Sequence, residues 1–214
     1  MRLPLPQFAA TNRHPDHFAE VIETSTAEFM AQCLDPEDLN FPQMPPFGSW
    51  VSAQDEETGN QVYAVVYHAS TSPVDSIHRA RALGLSLQQL REQQPQIFAM
   101  LKTEFRAAIV GFRPGNQPQL IHQHLPPRPP QIHQAVYHCA TAEVVAFSDR
   151  LDFLRTLIQV AGAPVDELTA AVIRQVYRAR QLERTWLVQA GRALSVLLKD
   201  DYDRLSAILG QIYA

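Results

Sequence analysis

The stretch that decides the fold is Thr103–Phe112, TEFRAAIVGF. Phe105, Ala107, Ile109 and Gly111 fall on one side of an extended chain, and Ala108, Val110 and Phe112 join Arg106 on the other. A run apolar on both sides reads as a strand covered on both faces. Three further fragments share this character: PPFGSWV (Pro45–Val51), VYAVVYH (Val62–His68) and PPRPPQIHQAVYHC (Pro126–Cys139). Each is a short apolar, β-branched or aromatic run bounded by Pro or Gly, as expected of the strands of a small barrel.

Working outward, residues 1–17 contain three prolines and little periodicity, and are expected to form an arm that orders on a partner. The run Phe18–Leu34 divides at Ser25 into two strand-like halves. A hairpin is expected there, with a helix as competitor because Ala and Glu favour it. The proline-rich loop 35–48 follows, then a strand over Ser49–Gln54, the turn signal Gly59-Asn60 and a strand over Gln61–Ala69. In this last strand Val62, Ala64, Val66 and His68 share a face, and Tyr63, Val65 and Tyr67 share the other. SIHRARALG (residues 76–84) is a candidate further strand. Ser86 with Gln89 three residues on forms a capping box for a short helix that Pro95 limits. RPGNQP (Arg113–Pro118) reads as a turn, LPPRPP (Leu125–Pro130) as an extended rim connection, and Ile132–Cys139 as the last strand.

At Thr141 the pattern changes to apolar residues spaced by three and four. Phe147, Leu151, Leu154 and Ile158 form one stripe, ended by Gly162-Ala163-Pro164. Leu168, Val172, Val176, Ala179 and Leu182 form a second, and Leu187, Ala190, Leu194 and Leu197 a third. Asp200-Asp201 can cap a last helix carrying Leu205, Ile208, Leu209 and Ile212. The reading is an α+β chain: an arm (1–17), a barrel of about six strands (18–140) and a helical subdomain of three to four helices (141–214). The helices are expected to cover their stripes against each other.

The order of these fragments resembles the HAS barrel, the small N-terminal β-barrel of HerA-type DNA translocases and of rotary ATP synthase subunits. The residues that carry it are AEFMAQC (Ala27–Cys33), PPFGSWV, VYAVVYH, TEFRAAIVGF and PPRPPQIH (Pro126–His133). The resemblance implies a barrel that packs beside its neighbours or offers a docking surface, without chemistry of its own. It departs from the usual pattern in one respect. No GxxxxGK[ST] occurs, and neither lysine, Lys102 or Lys199, follows a glycine, so the phosphate cradle of a motor domain is missing. The chain is similar to standalone, cyanobacterial-type members that lack the motor.

Bulk properties and the catalytic motifs searched for narrow the function classes. A net charge of -4 gives no general reason to bind nucleic acid. The opening MRLPLPQF has no apolar core of a secretory signal and no run is long enough to span a bilayer, so a soluble, cytoplasmic protein is expected. Cys33 and Cys139 are expected to be reduced and buried. Neither GxSxG nor an activated cysteine occurs, Glu104, Glu143 and Asp152 stand without paired partners in sequence, and Asp55-Glu56-Glu57 reads as a solvated turn.

The expectation is a non-enzymatic adaptor without cofactor or metal. Its candidate partners are another protein, including a separately encoded HerA-like ATPase, or further copies of the chain. Candidate contact residues are Arg128 in the proline connection and Arg174, Arg178, Arg180 and Arg184 in the helical tail, where Arg192 adds to the basic surface. Two alternatives stand beside it. One is a nucleic-acid accessory module using the arginine-bearing face, against which Glu183 and Asp166 count as balancing charges. The other is a metal-dependent enzyme built on His122, His124, His133 and His138, whose spacing matches no familiar zinc motif.

Overall fold

The computed structural model describes residues 16–35, 43–74 and 81–212. The expected arm lies almost wholly outside these residues, and so does most of the candidate strand at 76–84. The described end of that stretch, residues 81–84, holds no strand.

Six antiparallel strands close into a barrel. They are β1 (His17–Thr24), β2 (Glu28–Cys33), β3 (Trp50–Asp55), β4 (Asn60–Pro73), β5 (Leu101–Arg113) and β6 (Ala135–His138). Around the wall the order is β1-β2-β5-β4-β3-β6, and β6 pairs with β1 to complete the ring. The hairpin prevails over the helix at 18–33 because alternation decides it. Ala19, Val21, Phe29, Ala31 and Cys33 all point into the lumen, which a helical period cannot achieve. Ser25 tightens the turn, its backbone N–H donating to the Glu28 carbonyl at 2.9 Å and its hydroxyl to the same oxygen at 3.0 Å.

The lumen is filled by side chains of all six strands, among them Phe29, Val51, Val62, Phe105, Ile109 and Val136. The outer face of β3, β4 and β5 is equally apolar. Trp50, Tyr63, Val65, Tyr67, Ala108 and Val110 lie there in one core with the helices.

Two bulges alter the facing expected from simple alternation. The β4–β5 register slips between Tyr63/Gly111 and Ala64/Ile109, and again between Val66/Ala107 and His68/Arg106. A bulge reverses the side to which all later residues point. Gly111 is therefore not on the lumen side with Ile109. A Cβ there would lie 2.9 Å from the Phe147 ring and 2.2 Å from the His122 carbonyl oxygen, so only glycine admits this close approach. Likewise His68 is solvent-exposed, and Ala69 packs on the lumen core in its place. Asp55 corrects another expectation. It is fully buried, accepting from the Thr58 hydroxyl at 2.5 Å and the Glu57 N–H at 3.2 Å, while Glu56 and Glu57 are exposed.

Six α-helices and one 3-10 helix (Pro95–Met100) complete the described structure, the α-helices being α1 (Leu87–Gln93), α2 (Thr141–Phe147), α3 (Phe153–Leu157), α4 (Val165–Ala179), α5 (Arg184–Leu197) and α6 (Tyr202–Ile212). Ser86 and Gln89 form the capping box of α1, and the Asp201 carboxylate accepts from the Arg204 N–H at 3.1 Å to cap α6. The first apolar stripe is not one helix but two, so the tail has five helices where three to four were expected. The break at Ser148–Asp152 is held from outside. Gln123 donates to the carbonyls of Phe147 (2.5 Å) and Arg150 (3.0 Å) and accepts from the Phe153 N–H (3.0 Å). The Trp186 indole takes the Ser148 carbonyl at 2.8 Å. The second stripe also ends early. Gln181 and Leu182 adopt left-handed backbone, and Leu182 is exposed.

The helices cover one another, and they also cover the barrel. Phe147 and Phe153 bring their rings against Trp50, at centroid distances of 5.1 and 5.6 Å, and Phe147 lies 5.2 Å from Tyr63. Helix stripe and barrel wall thus share one core.

Two substitutions test this packing. Phe105→Ala removes a fully buried ring from the lumen and is expected to cost about 3–5 kcal/mol in urea unfolding; an unchanged midpoint would place Phe105 outside the core. Gln123→Ala strands the buried Phe147 carbonyl and Phe153 N–H and removes the part-buried bond to the Arg150 carbonyl, and is expected to cost about 1–3 kcal/mol. A loss confined to a few tenths would mean that the break between α2 and α3 holds without it.

Candidate interaction surfaces

A closed, side-chain-filled barrel offers its outside for binding. Part of that outside is used by the helices, so the free surfaces are the polar wall over β1, β2 and β5, the seams where helices meet strands, and the outer helix faces.

The polar wall carries a tight ionic network. Glu28 accepts from the Arg106 guanidinium at 2.9 Å and from the Tyr67 hydroxyl, and Glu23 lies 3.9 Å from Arg106. Burial, and then the Glu28 carboxylate, push the Tyr67 hydroxyl up to about 12, which keeps it a proton donor to Glu28. Next to this network a cleft of about 830 Å³ runs between the β1–β2 turn and the α3–α4 connection, with Leu125 and Val160 as apolar walls. A second cleft of about 610 Å³ opens where Gln61 bridges Ser52 (3.1 Å) and Glu143 (2.9 Å) beside Arg113. Helix α4 and the 46–50 loop enclose a third groove of about 510 Å³.

The five candidate arginines have separate fates. Arg128 pairs with Glu57, so the proline connection folds back onto the β3–β4 turn, and its Pro126 and Pro130 are buried. That pairing, after a hydrogen bond from Gln131, holds the Glu57 carboxyl below its ordinary range. Arg174 donates to the Gln211 carbonyl at 2.5 Å and ties α4 to α6. Arg180 is the most enclosed, its side chain 9% exposed. It donates to the Ser148 hydroxyl (3.0 Å) and the Val145 carbonyl (2.8 Å), pairs with Asp149 and Glu183, and lies 5.6 Å over the Trp186 ring. Arg178 and Arg184 are exposed, and among the described residues neither forms an ion pair.

Of the carboxylates expected to balance this surface, Glu183 pairs with Arg180, one of its arginines, and Asp166 pairs outside it with Arg204 at 2.5 Å. The outer face of α5 consequently carries Arg184, Val188, Arg192 and Val196, all exposed and without a carboxylate among them.

The four histidines divide into separate environments. His122 and His124 do come together, their ring centroids 5.1 Å apart and both against Phe112. His133 sits exposed in a left-handed turn. His138 stacks on Phe18 at 3.7 Å, and burial lowers its pKa, partly countered by Asp16. Among the described residues, no three His, Cys, Asp or Glu side chains are placed to hold one metal ion. Both cysteines are free thiols. Burial raises the Cys33 thiol to about 12 and pushes the Cys139 thiol well above its ordinary value, so neither is an accessible thiolate at neutral pH.

Sequence reasoning passed over Ser49 and Trp50. Both are almost wholly buried, yet among the described residues the Ser49 hydroxyl and the Trp50 indole N–H have no hydrogen-bond partner. The only hint in sequence is a Ser-Trp pair inside a proline-rich loop. Its environment depends on α4, which arrives from more than a hundred residues away.

No helix among the described residues is long and apolar enough to cross a membrane. Comparison with known proteins returns no curated protein that matches the chain. A family model does match. It covers residues 18–114, from the start of β1 to the end of β5, and leaves β6 and helices α2–α6 beyond it. Residues 18–114 of the chain match the HAS barrel domain, and the element order of the barrel agrees with this match.

Proposed function

We propose that the chain is a non-enzymatic adaptor or assembly protein, binding another protein or further copies of itself through the outside of its barrel and helices. The observation that carries this reading is the packed lumen. Its apolar side chains leave the barrel no interior site, so recognition is confined to its surfaces. The HAS barrel is in general a protein-interaction or assembly module, and the clefts along the polar wall and the helix–strand seams supply concave contact areas. A separately encoded HerA-like ATPase is the first partner to test, because the barrel resembles the one such motors carry in the same polypeptide.

The direct experiment is native mass spectrometry of the purified chain, alone and mixed with a HerA-like ATPase from the same source. A defined oligomer or a stoichiometric complex is expected. A strict monomer at tens of micromolar, with no complex formed, contradicts the proposal.

The basic outer face of α5 supports one second reading, an accessory contact with nucleic acid. Arg184 and Arg192 have no carboxylate partner among the described residues, which is what phosphate contacts require. Binding to duplex DNA would then weaken steeply as salt rises, and Arg184→Ala with Arg192→Ala would flatten the slope. DNA retention that is absent at low salt, or indifferent to salt, removes this reading.

A further inference from the structure

We infer that His122 and His124 form a two-imidazole site for one late first-row transition-metal cation, Zn²⁺ or Cu²⁺. The site departs from the metal-free expectation of the sequence, makes no claim of catalysis and does not depend on the adaptor reading.

The backbone brings the two rings together. His122 pairs with Phe112 of β5 in both directions, its N–H donating to the Phe112 carbonyl and its carbonyl accepting from the Phe112 N–H, each at 2.9 Å. The next residue, Gln123, is buried and tied by three hydrogen bonds to the break between α2 and α3. Along an extended chain alternate residues point to opposite sides, so an inward Gln123 sends both of its neighbours outward. His122 is accordingly half-buried and His124 exposed. Their ring centroids lie 5.1 Å apart, and the Phe112 ring backs both of them, at 5.0 and 5.5 Å.

This spacing and the ring chemistry suit a shared metal ion. Two imidazoles bound at about 2.0–2.1 Å around a tetrahedral centre hold their ring centroids about 5 Å apart. The Nδ1 of His124 lies 3.0 Å from the Leu125 carbonyl. A carbonyl only accepts, so in the neutral ring Nδ1 carries the proton and the lone pair is left on Nε2. A ligating histidine is commonly set in this way, with its other N–H on a backbone carbonyl. Among the described residues no hydrogen bond engages the His122 ring nitrogens. Arg113, next to Phe112 in the chain, turns its guanidinium to Gln61 and Glu143.

The donor set selects the ion. Imidazole nitrogen suits zinc and copper, whereas magnesium demands oxygen ligands. Among the described residues no third His, Cys, Asp or Glu joins the pair, so the other coordination positions fall to water. Such an open site binds more weakly than a closed structural zinc centre. It has a consequence for the fold, because the bridged residues flank Gln123. An ion held by both rings fixes the segment from which Gln123 clamps the α2–α3 break, and an ion that prefers the folded chain stabilises it.

The test titrates the metal alone, as ZnCl₂ or CuCl₂, into the full chain by isothermal calorimetry, with MgCl₂ as the comparison. One equivalent is expected to bind in the micromolar range, Cu²⁺ more tightly than Zn²⁺, with no response to Mg²⁺. His124→Ala, at an exposed position, is expected to leave the metal-free melting midpoint unchanged. It is expected to weaken Zn²⁺ binding by at least the roughly tenfold that losing an outer-shell partner costs. His122→Ala is expected to lose binding likewise, and His133→Ala to keep it. Zn²⁺ is expected to raise the melting midpoint of the native chain and not that of His124→Ala. Absence of Zn²⁺ and Cu²⁺ binding, an equal response to Mg²⁺, or binding that survives both His122→Ala and His124→Ala overturns the proposal. So does an equal loss on His133→Ala.

Discussion

Everything in this fold depends on one apolar seam, where the outer face of β3, β4 and β5 meets the helices. A barrel of six strands closes over its own lumen and would leave Trp50, Tyr63, Val65, Tyr67, Ala108 and Val110 facing water. Exposed apolar area of that extent is costly, and the amphipathic helices have the same difficulty on their inner faces. Each solves the other's problem. The rings of Trp50, Tyr63, Phe147 and Phe153 lie within 5.1–5.9 Å of their neighbours, and aromatic contacts of this kind add to the burial term. Gly111 matters for the same reason, because the bulge turns its empty side toward Phe147 and lets the helix approach the wall.

The seam also explains where polar residues are spent. Helix α2 ends at Phe147 so that its aromatic ring can reach the barrel, and the chain must then turn sharply before Phe153. The turn frees carbonyls from helical pairing, those of Phe147 and Ser148 in buried positions. Gln123, Trp186 and Arg180 supply the donors, from three separate parts of the chain. Arg180 is thereby withdrawn from the surface, while its partners Asp149 and Glu183 stay exposed. Arginines counted as one basic patch in sequence thus divide into structural and free ones. Among the described residues no ion pair engages Arg178 at the third groove, or Arg184 and Arg192 on α5.

What was legible in the sequence follows from how local each signal is. Alternation placed the hairpin of β1 and β2 and the strands β3 to β6 near their observed positions, because a strand half-buried in a barrel wall must alternate. Capping residues fixed the start of α1 at Ser86 and of α6 at Asp201, since their partners lie three residues away. Non-local causes were not legible. A bulge shifts the face of His68 and Gly111 through cross-strand register, which no single strand records. The break within the first apolar stripe depends on Gln123, and Leu182 fits a helical spacing although the backbone has already left the helix. Asp55 looks like part of a solvated acidic turn, and it is buried because its carboxylate holds that turn together. The groove at Ser49 and Trp50 was invisible for the same reason, being formed by a loop and a helix distant in the chain.

The central claim is that barrel and helices stand on one shared core. The measurement that addresses it most directly is equilibrium urea unfolding of the full chain. Tryptophan fluorescence reports on Trp50 and Trp186 in that core, and far-ultraviolet circular dichroism reports on the helices and strands. A single transition with coincident midpoints by both probes is the result expected of one cooperative unit. Two separated transitions, with helical signal surviving after the tryptophans are exposed, would show that the helices fold without the barrel wall and would contradict the account.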